Sequence, residues 1–325
     1  MNSLTELVHR GCAVVAYTPT TRRIFAKHWQ KIRMSVSRHV HITAEVEACE
    51  PNSVRRALRK YQPDLLIAAG GDGTVNLCIQ AMQGDDLLAI LPLGTANDLL
   101  RSLGRTSGLS HRVDRIRVND QAFCTTGGIG IPSTIAQRVN RMRQGRFGRL
   151  SRNMGSHIYL LAAADLLLWG NTQAQWMEIE WEDADSGTTK QLQLQTNTLF
   201  VTNQATFGGS LRVVNEAVNN DGHFEICIFK NRSRWQDLVI MGRVIAAADQ
   251  HEQDCHVLRT PSARIITTRP MPFFGDGEII ANNRYFELEI APGALNILDL
   301  DWALDSAKKH GKGPSRRKIL PRRPA

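Results

Sequence analysis

The sequence predicts an α/β domain built on a parallel sheet, followed by a second, β-rich domain of mainly antiparallel, sandwich-like strands. Three observations lead there. Up to about residue 110, short apolar runs alternate with helical periodicities, a pattern that gives a parallel sheet. Two of those runs break into glycine-containing loops and restart as helices. Beyond residue 110 many strand-like pieces follow with few helices between them, as in antiparallel β domains.

In order, residues 12–17 (Cys-Ala-Val-Val-Ala-Tyr) read as the first strand. Residues 21–34 read as a helix with Ile24, Phe25, Trp29 and Ile32 inward. His39 to Thr43 alternates like a strand, and Ser53 to Lys60 reads as a short basic helix capped by Ser53. The run Asp64 to Ala69 leads into Gly70-Gly71-Asp72-Gly73-Thr74 and a helix continuing through Val75 and Asn76 to Met82. The run Leu87 to Leu91 leads into Pro92-Leu93-Gly94-Thr95-Ala96-Asn97-Asp98, with Thr95 as N-cap and Gly104 as the stop of its helix. Later strand-like pieces are 114–119, 122–126, 175–181, 191–201, 222–229, 263–268 and 284–290, interrupted by helical pieces Ser156–Trp169 and Ser233–Ala247. The division expected is 1–118 for the α/β domain, 119–300 for the β-rich domain, and 301–325 for a C-terminal segment with a basic, disordered tail.

The first glycine loop aims backbone N–H groups and a helix N-terminus at one point, which is how proteins hold phosphate. Asp72 would repel a bare phosphate, so a cation such as Mg2+ is expected between them. The loop has neither the Lys-Ser/Thr of a Walker A loop nor the spacing of a dinucleotide fold. The second loop falls 24 residues further on, which places both at the carboxyl ends of neighbouring parallel strands, where open α/β sheets bind ligands.

The pair GGDGTVN and PLGTANDLLRSLG, with Phe274-Gly275-Asp276-Gly277-Glu278 far downstream, closely resembles the diacylglycerol kinase catalytic-domain family, which includes bacterial lipid kinases and sphingosine and ceramide kinases. The resemblance runs from about residue 12 to about residue 300. It implies an NAD kinase/diacylglycerol kinase-like fold and an ATP- and Mg2+-dependent transfer of phosphate to a lipid hydroxyl. By resemblance, Gly70, Gly71, Asp72, Gly73, Thr74, Val75, Asn76, Gly94, Thr95 and Thr43 belong to the nucleotide site. Asp72 and Asp98 support the catalytic metal, with Asp114 in the same network; a helix-dipole residue in a first turn is the lesser alternative for Asp98, and a surface turn explains Asp114 equally. Glu278 resembles the family's general base. A carboxylate held near Phe273 and Phe274 would have a raised pKa suited to proton transfer, although Asp-Gly is also a common hairpin pair. Phe207-Gly208-Gly209 and Asn219 to Phe224 resemble segments that in bacterial members bind a structural Mg2+. The ligands there would be Asp221 and the carbonyls of Val218 and His223, unless the segment is a plain hairpin.

The chain departs from the family at two loops. Thr18-Pro19-Thr20-Thr21-Arg22 stands where the family has Asn-Pro-x-Ser-Gly, and Gly130-Ile131-Pro132 stands where it has Gly-Phe-Asp. The first puts nucleotide selectivity in question, and the second reshapes the expected lipid entrance.

Composition bounds the rest. The 325 residues are 42% hydrophobic, ordinary for a globular protein. Six scattered cysteines without metal spacing suggest free thiols in a reducing compartment. No signal pattern opens the chain, and the longest apolar stretch, Ile158 to Gly170, is too short to span a bilayer. A cytoplasmic protein with peripheral membrane contact is expected. The net charge of +9 concentrates in two patches: eight Lys/Arg in 308–325, and Arg138, Arg141, Arg143, Arg146, Arg149 and Arg152. Such patches favour anionic lipid. No interleaved aromatics point to nucleic acid. A homodimer is compatible with the sequence. Three readings stand: a lipid kinase, a kinase of a soluble acceptor of the NAD kinase type, and a nucleotide- or lipid-binding regulator in which the altered first loop has lost catalysis.

Overall fold

The computed structural model describes residues 11–37, 40–83, 86–94, 97–103, 110–144, 157–170, 173–207, 211–214, 216–230 and 255–298. Thr95, Gly104, Gly208 and Gly209, the helix expected at 233–247, Arg146, Arg149, Arg152 and the basic tail lie outside the described residues.

The first part alternates as expected: β1 (Cys12–Tyr17), α1 (Arg22–Ser37), β2 (His41–Glu47), α2 (Pro51–Tyr61), β3 (Leu65–Gly70), α3 (Asp72–Ala81), β4 (Leu87–Pro92) and α4 (Asp98–Ser102). β1 pairs in parallel with β2 and β3, and β3 with β4. Every residue of β3 is buried, as in a central strand covered on both faces. Phe25, Trp29, Ile32 and Val36 of α1 cover one face over Val15, Ile67 and Leu91. Val54 and Ala57 of α2, with Cys78 and Ile79 of α3, cover the other over Val14, Leu66 and Ala68.

Two local expectations are corrected. Ile24 points outward, 46% exposed, because a turn of α1 that buries Phe25 and Trp29 leaves it on the opposite side. Ser53 does not cap α2; the helix starts at Pro51 after Glu50, and the Ser53 amide already bonds to the Glu50 carbonyl within the first turn. Proline suits a first helical position because its missing N–H would be unbonded there.

The second part comprises β5 (Ser110–Val118), β6 (Gln121–Phe123), β7 (Thr126–Gly130), α5 (Ile131–Gln144), α6 (His157–Trp169), β8 (Gln175–Glu182), β9 (Thr189–Thr196), β10 (Thr198–Thr202), β11 (Thr206–Phe207), β12 (Leu211–Arg212), β13 (Phe224–Phe229), β14 (Cys255–Thr260), β15 (Ser262–Gly275) and β16 (Glu278–Leu298). Its strands pair antiparallel around Phe123, Ile129, Ile179, Leu199, Phe224, Phe273 and Phe286. The pieces expected at 122–126 and 191–201 each divide into two strands. β14 and α5 are additional to the expected elements; Ile131, Ile135, Ala136 and Val139 of α5 form a buried stripe.

β16 joins the two parts. It pairs antiparallel with β15 and β5, and then its end, Asn296–Leu298, pairs in parallel with β4. One continuous 14-stranded sheet results. The long hairpin of β15 and β16 thus has one end in the β-rich core and is hydrogen-bonded into the parallel sheet at the other.

Candidate active site

The site forms where β3 and β4 end side by side, with Gly70 opposite Pro92. The loops leaving those strands touch through their backbones. A Cβ on Gly94 would sit 2.4 Å from the Gly71 Cα, and one on Gly71 would sit 2.9 Å from the Gly94 Cα. Only glycine permits that approach. α3 begins at Asp72 immediately after Gly71, and no side chain caps it. Its first-turn amides and its dipole therefore face the junction, a cradle suited to phosphate. The altered first loop reaches the same place. The Thr18 hydroxyl lies 3.4 Å from that of Thr74 and within 3.1 Å of those of Thr20 and Thr21.

Asp72 fastens the two loops together. Its Oδ2 accepts from the Asn97 amide (3.0 Å) and its Oδ1 from the Asp98 amide (2.6 Å). Burial pushes the Asp72 carboxyl above its ordinary value, the Asp98 and Asn97 amides pull it back, and the negative charge of Asp276 pushes it up again. A carboxylate beside a phosphate cradle suits Mg2+, which takes one or two carboxylates together with substrate phosphates.

The third motif arrives from 200 residues away. Asp276 and Gly277 connect β15 to β16 in a two-residue turn with φ of 52° and 86°, a pair of positive values that favours Asp-Gly. The turn is a hairpin and also part of the site. Asp276 accepts from the Asn76 side-chain amide (2.9 Å), the Thr125 amide (2.9 Å) and the Thr125 hydroxyl (2.6 Å), with the Cys124 amide at 3.2 Å. Asn76 is therefore a tether of the turn, on the buried side of α3.

This tether brings Glu278 to the glycine loop. Among the described residues, a Cβ on Gly73 would meet only Glu278 Oε1 within 4 Å, at 3.7 Å. Asn140 of α5 donates to Glu278 Oε2 and to the Gly277 carbonyl, each at 3.1 Å. The apolar enclosure expected around Glu278 is absent. Phe273 and Phe274 lie within β15 and are buried, while Glu278, just past the Asp276-Gly277 turn, is exposed. Sequence reasoning missed Asn140, Asp276 and Thr125. Only the helical spacing of Ile131, Ile135 and Val139 could have revealed the helix that carries Asn140.

Other expected residues lie apart. Thr43 is exposed at the β-bulge of β2, opposite the start of β1, where Ala13 pairs with Ile42 and Val14 with Ala44. It stands four residues from Glu47 at the strand's loop end, about 13 Å at 3.3 Å per residue. Asp114 is buried, and its oxygens accept from the Gly222 (2.7 Å) and Gly293 (2.6 Å) amides. Its own amide and carbonyl bond to Asn219 and Asn203, so Asp114 knits backbone together. Asp221 bonds to the His223 amide and pairs with Arg259 at 2.8 Å, while Val218 is exposed. Arg259 meets the Asp221 carboxylate at Oδ2, and the remaining ligands expected there are backbone carbonyls. Among the described residues no group of three His, Cys, Asp or Glu side chains could hold a metal ion.

Comparison with known proteins accords with this layout. The family model described as diacylglycerol kinase catalytic domain matches residues 13–124, and that described as YegS C-terminal NAD kinase beta sandwich-like domain matches residues 128–299. A diacylglycerol kinase of Bacillus subtilis (strain 168) is 26% identical over 274 residues, covering 78% of this chain and 84% of the relative. Lipid kinase YegS of Escherichia coli (strain K12) is 26% identical over 277 residues, covering 79% and 85%. A crystal structure of a diacylglycerol kinase from Bacillus anthracis str. Sterne shares the fold with a TM-score of 0.64 at 19% identity, covering 89% of this chain and 96% of that one.

Proposed function

The chain belongs to the diacylglycerol kinase catalytic-domain family, with that domain followed in this chain by a YegS C-terminal NAD kinase beta sandwich-like domain, and from that premise we propose that it transfers the γ-phosphoryl group of ATP to the hydroxyl of a membrane lipid, diacylglycerol-like or sphingoid, with Glu278 as general base. The observation that carries this reading is the placement of Glu278 Oε1 beside Gly73, at the mouth of the phosphate cradle.

Bound with Mg2+, ATP would supply the phosphoryl group and the cation that spreads its charge. The remaining work falls to side chains and amides of the chain. Backbone N–H groups of the glycine loop and the first turn of α3 bind the phosphates. Asp72 holds the second loop against the first and would be the carboxylate that holds the cation. Asn140 orients Glu278, leaving Oε1 toward Gly73. Glu278 accepts the proton of the lipid hydroxyl as that oxygen forms its bond to the γ-phosphorus. The bond to the leaving ADP oxygen breaks in the same displacement. Asp276, through Asn76 and Thr125, fixes the distance between base and cradle.

The test is transfer of label from γ-labelled ATP, with Mg2+, to a panel of lipids in mixed micelles, with NAD as soluble control. A labelled lipid supports the reading and names the acceptor. Label on NAD alone overturns it in favour of a soluble acceptor. No label in protein that binds ATP favours the regulator, with Thr18 to Arg22 as the altered element.

A further inference from the structure

We propose that the helix pair α5–α6 is the surface that docks on an anionic bilayer, with Leu161, Leu168 and Trp169 entering the lipid interface. This rests on the lipid-kinase reading and goes beyond it by naming the contact.

α6 is thirteen residues long and, apart from His157, its only ionisable carboxylate or cation is Asp165. One face packs inward: Ile158, Ala162, Ala163 and Leu166 meet Ile131, Ile135 and Val139 of α5. The opposite face is apolar too. Leu161 is 49%, Leu168 45% and Trp169 78% exposed. Leu161 and Leu168 are two turns apart and therefore share a side, with Asp165 between them. Asp165 forms an ion pair with Arg138 of α5, which removes the one negative charge from that face. A single exposed leucine needs no explanation, but two leucines and a tryptophan on one helix, with their acid neutralised, mark an interaction site. Tryptophan in particular suits a bilayer interface, where its ring is buried and its N–H stays wet.

Charge decides the occupant. Besides the Arg138 that pairs with Asp165, α5 contributes Arg141, and it contains no acidic residue. A protein partner would be met equally well by mixed charge, whereas a wholly basic border complements lipid phosphates. No helix among the described residues is long and apolar enough to cross a membrane, so α6 would lie in the interface rather than span it. The position also serves the chemistry. The inward side of the same pair holds the Glu278 turn: Asn140 bonds to Glu278 and Gly277, and a Cβ on Gly277 would lie 3.6 Å from the Tyr159 hydroxyl. The outward face of α6 is thus about one helix diameter, roughly 10 Å, from the base.

The experiment is cosedimentation of the full chain, without ATP, with phosphatidylglycerol vesicles and with phosphatidylcholine vesicles. Wild-type protein should bind the first and bind the second weakly. The double variant Leu168→Ser/Trp169→Ser should bind phosphatidylglycerol vesicles about tenfold less or weaker, with its melting temperature and its activity on detergent-dispersed short-chain lipid unchanged. As a second measurement, brominated lipid should quench a fluorescence component that Trp169→Phe abolishes. Wild-type binding by the double variant, or quenching that survives Trp169→Phe, overturns the proposal. So does a dimer in solution that dissociates on the same substitutions while vesicle binding persists, since the face would then belong to a second copy. Because binding is read without turnover, failure of the kinase reading shows separately, as absence of label on detergent-dispersed lipid.

Discussion

The Asn76 side-chain amide donates to Asp276 across 200 residues of sequence, at 2.9 Å. That bond joins the helix behind the phosphate cradle to the turn that bears the candidate base. Asp276 is the hub of the junction, since Thr125 and Cys124 also donate to it. Replacing Asp276 with Asn leaves one oxygen and an NH2 facing several donors. Hydrogen bonds to a charged group contribute about 1.5–3 kcal/mol each, and orphaned buried donors cost more. Asp276→Asn should therefore lower stability by about 2–4 kcal/mol, read as the shift in chemical denaturation midpoint. Stability within a few tenths of wild type would show that the hub is dispensable.

The proton-transfer role is tested at Glu278. Glutamine keeps shape and loses basicity. Glu278→Gln should retain ATP binding and melting temperature, because the side chain is exposed, and lower turnover by about 10²-fold or more. Unchanged turnover would remove Glu278 from the mechanism.

Asn140 acts through Glu278. Its two 3.1 Å bonds fix the carboxylate against the turn. Asn140→Ala should cut kcat several-fold, about 1 kcal/mol of lost orientation, with KM for ATP unchanged. Asn140→Gln should restore part of it, while a purely structural role would lower the melting temperature and leave kcat intact.

Much of this was legible in the sequence. The breaks at Gly70–Gly73 and Gly94 announce loops at strand ends, because apolar runs that stop in glycine have few other uses. The unread parts share a physical cause. Asp276 looks like a turn residue from its neighbours, and its carboxylate has partners only because β15 and β16 carry it to α3, a long-range pairing that no local pattern encodes. In α5, Arg138, Arg141 and Arg143 interrupt the apolar pattern, and only the stripe Ile131, Ile135, Val139 marks the helix. Glu278 was misjudged for burial, since a strand end can bury Phe273 and Phe274 yet expose a residue just past the turn.

Thiol chemistry reports on the same junction. Burial pushes Cys78 up to about 12, and it pushes Cys124 well above the ordinary thiol range, with help from the charge of Asp276. Raised values mean less thiolate, so near pH 8 both stay in the unreactive thiol form, and reactivity should appear only far above that. Cys49 is exposed. Brief alkylation of native protein near pH 8, followed by peptide mass spectrometry, should label Cys49 and spare Cys78 and Cys124. In Asp276→Asn, Cys124 should become labelled as the junction loosens. Prompt labelling of Cys124 in the wild type would mean the junction is open.

Glycine substitutions separate architecture from chemistry in the cradle. At Gly94 an added methyl would lie 2.4 Å from the Gly71 Cα. The obstacle is backbone, so no rotamer change relieves it, and Asp72, bonded to Asn97 and Asp98, holds the loops in place. Gly94→Ala should push the loops apart, destabilise by about 1–3 kcal/mol and weaken ATP binding with it. At Gly73 the same methyl meets, among the described residues, only Glu278 Oε1 at 3.7 Å, an ordinary contact. Gly73→Ala should leave the melting temperature near wild type, yet it fills the space between cradle and base where the γ-phosphoryl group must pass. Its turnover should fall at least tenfold. The pair is informative because the two outcomes are opposite in stability and alike in activity. If Gly73→Ala turned over normally, the gap between Gly73 and Glu278 would not be where phosphate is transferred, and the base would have to be sought elsewhere.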